Sequence, residues 1–173
     1  MSDIEAVHEP VMKRELLDQL DLEQSNTVID ATVGFGGHAS AILDCLNSDG
    51  RLIGLERDPA IYARVKETFA DDPRVHIAQA NYRHLDRVLD SLDIESVDRI
   101  YFDLGVNSFH FDSCPRGFSF ERTEDDLDMR FDPESGVAPV SEWLEDISAD
   151  QLAEILREHG DVRSAGQIAR AIV

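Results

Sequence analysis

A doubly wound α/β fold built on a parallel sheet is predicted by three observations. Short β-branched apolar runs alternate with helical repeats over residues 1–106, three glycines fall at one strand-to-helix junction, and an acid closes the following strand.

The elements follow in order. "PVMKRELLDQL" spaces Val11, Leu16, Leu17 and Leu20 on one helical face, with Pro10 in a first turn that tolerates it. "TVIDATV" reads as a first strand, and "HASAILDCL", with Ile42, Leu43 and Leu46, as an amphipathic helix. The unit then repeats. "RLIGLER" (51–57) is a buried strand, Asp58-Pro59 starts a helix over "AIYARVKETFA", and "RVHIAQA" (74–80) is a third strand. Another helix runs through "YRHLDRVLDSL", and "VDRIYFDLGV" (97–106) is a fourth strand. Strands and helices alternating at this spacing predict parallel strands joined by crossovers.

The periodicity stops after Val106. Residues 107–139, with "NSFHFDSCPRGFSF" and "DDLDMRFDPESG", are rich in Asp, Ser, Pro, Gly and Phe and predict a long functional loop. From Val140 onward "VSEWLEDI", "SADQLAEILREHG" and "VRSAGQIARAIV" predict three helices, the second capped by Ser148 and stopped by Gly160. The expected division is a cofactor-binding domain over 1–106 with a partial sheet, and a loop-and-helix domain over 107–173.

Composition sets limits. A chain of 173 residues suits one domain or a little more. It carries 36 Asp and Glu against 16 Lys and Arg, a formal net charge of −20. Such a surface repels phosphate, so composition alone disfavours nucleic acid; global acidity of a salt-adapted protein accounts for it equally well. Cys45 and Cys114 form neither a disulfide framework nor a CxxC pair, which fits a reducing compartment. No stretch approaches the ~20 apolar residues of a membrane span. "MSDIEAVHEP" lacks the basic-then-apolar pattern of a secretion signal. A cytoplasmic protein without a membrane partner is expected.

The chemistry concentrates in "DATVGFGGHAS". Gly34, Gly36 and Ala39 satisfy the G-x-G-x-x-G/A fingerprint between a strand and a helix. The glycines permit a tight turn and let a ligand lie against bare backbone N–H groups. Glu56, 20 residues after Gly36, can accept hydrogen bonds from both hydroxyls of a ribose. A nucleoside cofactor is predicted, with NAD and S-adenosylmethionine both open. "HFDSC" offers His110, Asp112 and Cys114 as alternating ligands, but in one loop with no second cluster, and no metal site is predicted.

Six segments, "HEPVMKRELLDQL", "DATVGFGGHAS", "GLERDPAI", "FDLGVNSFHFD", "RGFSF" and "LDMRF", in this order and spacing, resemble the bacterial MraW/RsmH family of 16S (small-subunit) ribosomal RNA cytidine-N4 methyltransferases. The resemblance covers almost the whole chain. It implies a class I (Rossmann-like) methyltransferase fold that uses S-adenosyl-L-methionine, with an inserted helical substrate-recognition domain beginning near Asn107. It implies that Gly36, Gly37 and His38, after Gly34 in the turn, line the methionine part of the cofactor. Glu56 would hold the ribose where the family usually has Asp, Tyr82 would stack near the adenine, and Asp103 would be the acid beside the cofactor. His110, which falls where the family usually carries Gln, would be a further cofactor-binding residue. The implied partner is small-subunit ribosomal RNA in an assembled particle.

Asp103, ending strand four, or a polar group in "GVNS" is the candidate acceptor for the amino N–H of a target cytosine, whose lone pair is otherwise conjugated with the ring. Arg116 and Arg130 are expected to pair with nearby acids rather than phosphate, and Phe118, Phe120 and Met129 to form the core of the loop. Two departures from the family stand out: "DLGVNSFHFD" replaces "DLGVSSPQLD", and the chain stops at "IARAIV" ahead of the last strands. The edge of strand four is therefore expected to be uncovered and to favour self-association. Two further readings stay open: a truncated paralogue that binds the cofactor but acts as an interaction module, and a nicotinamide-dependent oxidoreductase.

Overall fold

The computed structural model describes residues 10–22 and 27–173. The reading of "MSDIEAVHE" as free of a secretion signal, and the "HE" that opens the first motif, lie outside the described residues. The chain divides into two compact units, Met1–Gly105 and Val106–Val173.

The first unit holds β1 (Thr27–Asp30), β2 (Arg51–Glu56), β3 (Val75–Gln79) and β4 (Arg99–Tyr101) in one sheet of order β3-β2-β1-β4. All three pairings are parallel, with Ile29 opposite Ile53 on one side and Ile100 on the other. This is the expected α/β architecture, and its order reverses at β1, the point where doubly wound sheets open a crevice at their carboxyl ends.

Helices α1 (Lys13–Leu20), α2 (Gly37–Cys45), α3 (Pro59–Thr68) and α4 (Leu85–Ser91) cover the sheet. Successive strand residues point to opposite faces, so each strand feeds two cores. Val28 and Leu52 join Leu20, Ile42, Leu43 and Val65 on one face; Ile29, Ile53 and Leu55 pack with Leu85, Val88 and Leu89 on the other. Each fully buried Ile, Leu or Val contributes about 1.5–3 kcal/mol. Asp58 starts α3 as expected, its side chain accepting from the Ala60 N–H at 2.9 Å with Pro59 in the first turn.

Three boundaries differ from expectation. Met12 takes a left-handed φ of 56°, so α1 begins at Lys13 and Val11 is exposed, while Leu16, Leu17 and Leu20 do reach the core. A 3-10 turn over Tyr82–His84 precedes α4. Strand β4 ends at Tyr101, so Asp103 lies two residues beyond it rather than closing it.

In the second unit the expected long loop contains a short helix, α5 (Ser108–Asp112). A reciprocal cap makes it: the Asn107 side chain accepts from the Phe109 N–H at 2.9 Å, and the Asn107 N–H donates to His110 Nδ1 at 3.0 Å. One turn is too short for periodicity to register. Arg116 donates to the carbonyls of Arg130 and Phe131, and Arg130 pairs with Asp128 at 2.6 Å while donating to the carbonyls of Pro133 and Val137. Both arginines brace the segment: Arg130 pairs with an acid as expected, and Arg116 does so through backbone carbonyls. Phe118 packs against His110 and Phe131, but Phe120 is 92% exposed and Met129 is half exposed, so these two do not form the core assigned to them.

Helices α6 (Val140–Asp146), α7 (Ala149–Glu158) and α8 (Ala165–Ile172) follow, with Leu152 and Ala153 buried against Ala165 and Ala169. Ser148 and Gln151 cap α7 reciprocally. At its end the left-handed residue is Asp161, φ 52°; a Cβ on Gly160 would meet the Leu156 carbonyl at 2.9 Å. Among the described residues no helix is long and apolar enough to cross a membrane.

Candidate functional site

The glycine turn lies between β1 and α2. Gly34 (φ 53°) and Gly36 (φ 86°) occupy the left-handed region that glycine alone enters without strain. The Gly36 N–H donates to the Val33 carbonyl at 2.8 Å, and both the N–H and hydroxyl of Ser40 return to the Gly36 carbonyl, which locks the turn onto the helix. A Cβ on Gly36 would lie 2.5 Å from the Phe69 ring, and one on Gly37 would lie 2.6 Å from Pro10. Packing inside the unit is therefore a reason for both glycines that needs no ligand.

Glu56 ends β2 beneath this turn. Its Oε2 accepts from the Gly34 N–H at 3.1 Å and its Oε1 from the Asp58 N–H at 2.7 Å, tying the turn to the start of α3. Burial pushes its pKa above the usual carboxylate value. The Arg57 N–H is a third backbone donor to this carboxylate, and of its roughly four lone-pair sites about one is left for a hydroxyl donor. The Ala80 N–H donates to the Glu56 carbonyl at 2.9 Å, bringing the start of the Tyr82 turn beside β2; the exposed Tyr82 ring stands edge-on to Phe102 at 5.5 Å.

His38, in the first turn of α2, places Nε2 3.0 Å from the Val11 carbonyl. A carbonyl only accepts, so Nε2 carries a proton, and Nδ1 faces Asp103 Oδ2 at 3.9 Å. The Asp103 side chain is 63% exposed, while its N–H is held by Thr32 Oγ1 at 2.8 Å.

Three residues beneath the crevice escaped the sequence reading. Asp30 is fully buried and accepts hydrogen bonds from the Tyr101 hydroxyl and from the Thr32 N–H. Burial pushes its pKa up to about 7, against the lowering effect of Tyr101, and burial followed by the Asp30 charge raises the Tyr101 hydroxyl as well. The Tyr101 ring meets His38 edge-on at 5.9 Å. The one available signal for Asp30 was an acid ending an apolar strand directly before the glycines.

Gly34, Gly36, Gly37, His38, Glu56, Tyr82 and Asp103 thus all lie in the first unit around the carboxyl ends of its strands. His110 belongs to the second unit, where it is buried, engages Asn107 through Nδ1, and packs against Phe131 at 4.8 Å. Among the described residues no group of three or more His, Cys, Asp and Glu is placed to hold a metal ion. Carboxylate lone pairs at Glu56 and an aromatic face at Tyr82 suit a nucleoside, and the Asp103 carboxylate beside His38 suits an amino donor.

A parallel sheet of this order, with a glycine turn at its switch point and an acid at the end of the second strand, defines a Rossmann-like nucleotide-binding domain. The chain belongs to the MraW methylase family, whose sequence pattern matches residues 5–173.

Three of the relatives that carry the name ribosomal RNA small subunit methyltransferase H show the extent of the likeness. That of Halorhodospira halophila is 43% identical over 167 residues, covering 96% of this chain and 51% of the relative. That of Thiobacillus denitrificans is 41% identical over 170 residues, covering 98% and 53%. That of Dictyoglomus thermophilum is 34% identical over 174 residues, covering 100% and 58%. The chain spans about half the length of the curated relatives it matches.

Proposed function

We propose that the crevice binds S-adenosyl-L-methionine and that the protein serves methyl transfer to the exocyclic N4 of a cytidine in 16S ribosomal RNA. Family membership and the names of the relatives support the reaction class, and the six-segment resemblance supports the cytidine. The observation that carries the cofactor is the Glu56 carboxylate, held between the glycine turn and α3 with accepting capacity to spare.

In this reading Gly34, Gly36 and Gly37 shape the turn and Glu56 accepts from a ribose hydroxyl. Tyr82 flanks the base, and His38 with Asp103 receives the amino group. Bound there, the cofactor supplies an electrophilic methyl on a sulfonium. Transfer is an in-line displacement, so the chain contributes position and exclusion of water, and no protein nucleophile is required. Asp103, exposed beside the crevice, accepts from the cytosine amino group and favours the tetrahedral nitrogen that attacks. His110 enters this proposal only through the family position it occupies. Residues 107–173 are read as the start of a substrate-recognition domain, the target as RNA in an assembled particle, and the setting as the cytoplasm.

Calorimetric titration with S-adenosylmethionine and, in parallel, NADH tests the reading. Binding of the former in the micromolar range, weakened about tenfold or more by Glu56→Ala and by Asp103→Ala, is expected. Binding of NADH instead would favour an oxidoreductase. Binding of neither by a folded chain would favour an interaction module.

A further inference from the structure

A carboxyl with no exposure must be satisfied inside the protein, and Asp30 is satisfied by two elements. Tyr101, the last residue of β4, gives its hydroxyl; Thr32 gives its N–H at 3.1 Å. Each partner in turn holds one wall of the crevice. Thr32 Oγ1 accepts the N–H of Asp103, 71 residues away and already past the end of β4. The Tyr101 ring backs His38. His38 and Asp103 are the pair that face each other across 3.9 Å. The titratable groups facing Asp30 are Tyr101, Glu56 and Asp103, with His38 behind Tyr101.

We propose that Asp30, Thr32 and Tyr101 are positioning residues: the buried carboxyl orients Thr32 and Tyr101, and through them sets the separation of His38 Nδ1 from the Asp103 carboxylate, where a cofactor's amino group is received. The purpose of this relay rests on the proposed cofactor site, whereas its existence is read from the protein alone.

The test pairs a ligand-free readout with a binding readout on wild type, Thr32→Val, Thr32→Ser, Asp103→Ala and the Thr32→Val/Asp103→Ala double variant. Thr32→Val keeps the shape and removes the hydroxyl. Amide hydrogen exchange at Asp103, followed by NMR without ligand, should quicken about tenfold or more, and S-adenosylmethionine binding should weaken about tenfold. Thr32→Ser should restore both, and Thr32→Val should add little once Asp103 is Ala. Unchanged exchange at Asp103, failure of Ser to restore it, or full multiplication of the two binding losses would each overturn the relay through Thr32. If wild type binds no S-adenosylmethionine, the cofactor reading fails and the exchange data alone decide the relay. Tyr101→Phe keeps the ring against His38 and removes the hydroxyl; the Asp30 carboxyl, followed by its carbon resonance, should then titrate at higher pH. An unmoved midpoint overturns the Tyr101 arm.

Discussion

Asp30 carries the energetic tension of the crevice at the scale of a single residue. Burial raises its pKa from the ordinary 3.8 to about 7, so between these values the folded chain holds a proton that the unfolded chain has released. The stabilising contribution is therefore complete below the ordinary value and is lost as pH rises through about 7. Glu56, raised by the same cause, acts in the same direction. Asp30→Asn cannot titrate, and its urea midpoint should fall less than that of wild type between about pH 5 and about pH 8. The difference should be on the order of 1–3 kcal/mol in folding free energy. Equal falls for the two proteins would show that the carboxyl does not titrate in this window. Glu56 was legible in the sequence because its position, 20 residues after Gly36, belongs to a local pattern. Asp30 looked like any acid ending a strand, since nothing local says that Tyr101, 71 residues on, will close over it.

Elements show why the glycine turn tolerates little change. Gly36 combines φ 86° with a Phe69 ring 2.5 Å from where its Cβ would stand. Gly36→Ala therefore adds backbone strain to a clash, and thermal unfolding should report a loss of about 1–3 kcal/mol. A variant as stable as wild type would mean that the turn relaxes away from α3. Strand β4 teaches a different lesson. "IYFDLGV" alternates like a strand, and Ile100, Phe102 and Leu104 are all exposed, yet the parallel ladder ends at Tyr101. Alternation shows which residues share a face in extended chain; pairing depends on the neighbour strand, and β1 ends at Asp30.

The whole molecule is an acidic chain in two units, and in the first of them β4 is one of the two edge strands of the described sheet. Unpaired strand edges promote association, and Leu104, just past this edge, is 69% exposed. We expect sedimentation velocity to show concentration-dependent association, strongest in high salt because salt screens the net charge of −20. Leu104→Lys should reduce it. A single monomer boundary at all concentrations would remove the edge as a source of self-association.

By itself the sequence determined the alternation of four strands with helices in the first unit, the parallel sheet, the caps at Asp58 and Ser148, and membership of a methylase family whose glycine turn and acid lie in "DATVGFGGHAS" and "GLERDPAI". These are set by periodicity, capping and crossover handedness, which act over a few residues or one βαβ unit. Only the tertiary structure decided that Phe69 and Pro10 occupy the space beside Gly36 and Gly37, that Phe120 stands in solvent, and that Asp30 is buried under Tyr101 while Thr32 holds Asp103. Each of these depends on which distant side chain fills a given volume or meets a given polar atom, a choice made only when the sheet brings the ends of β1, β2 and β4 together.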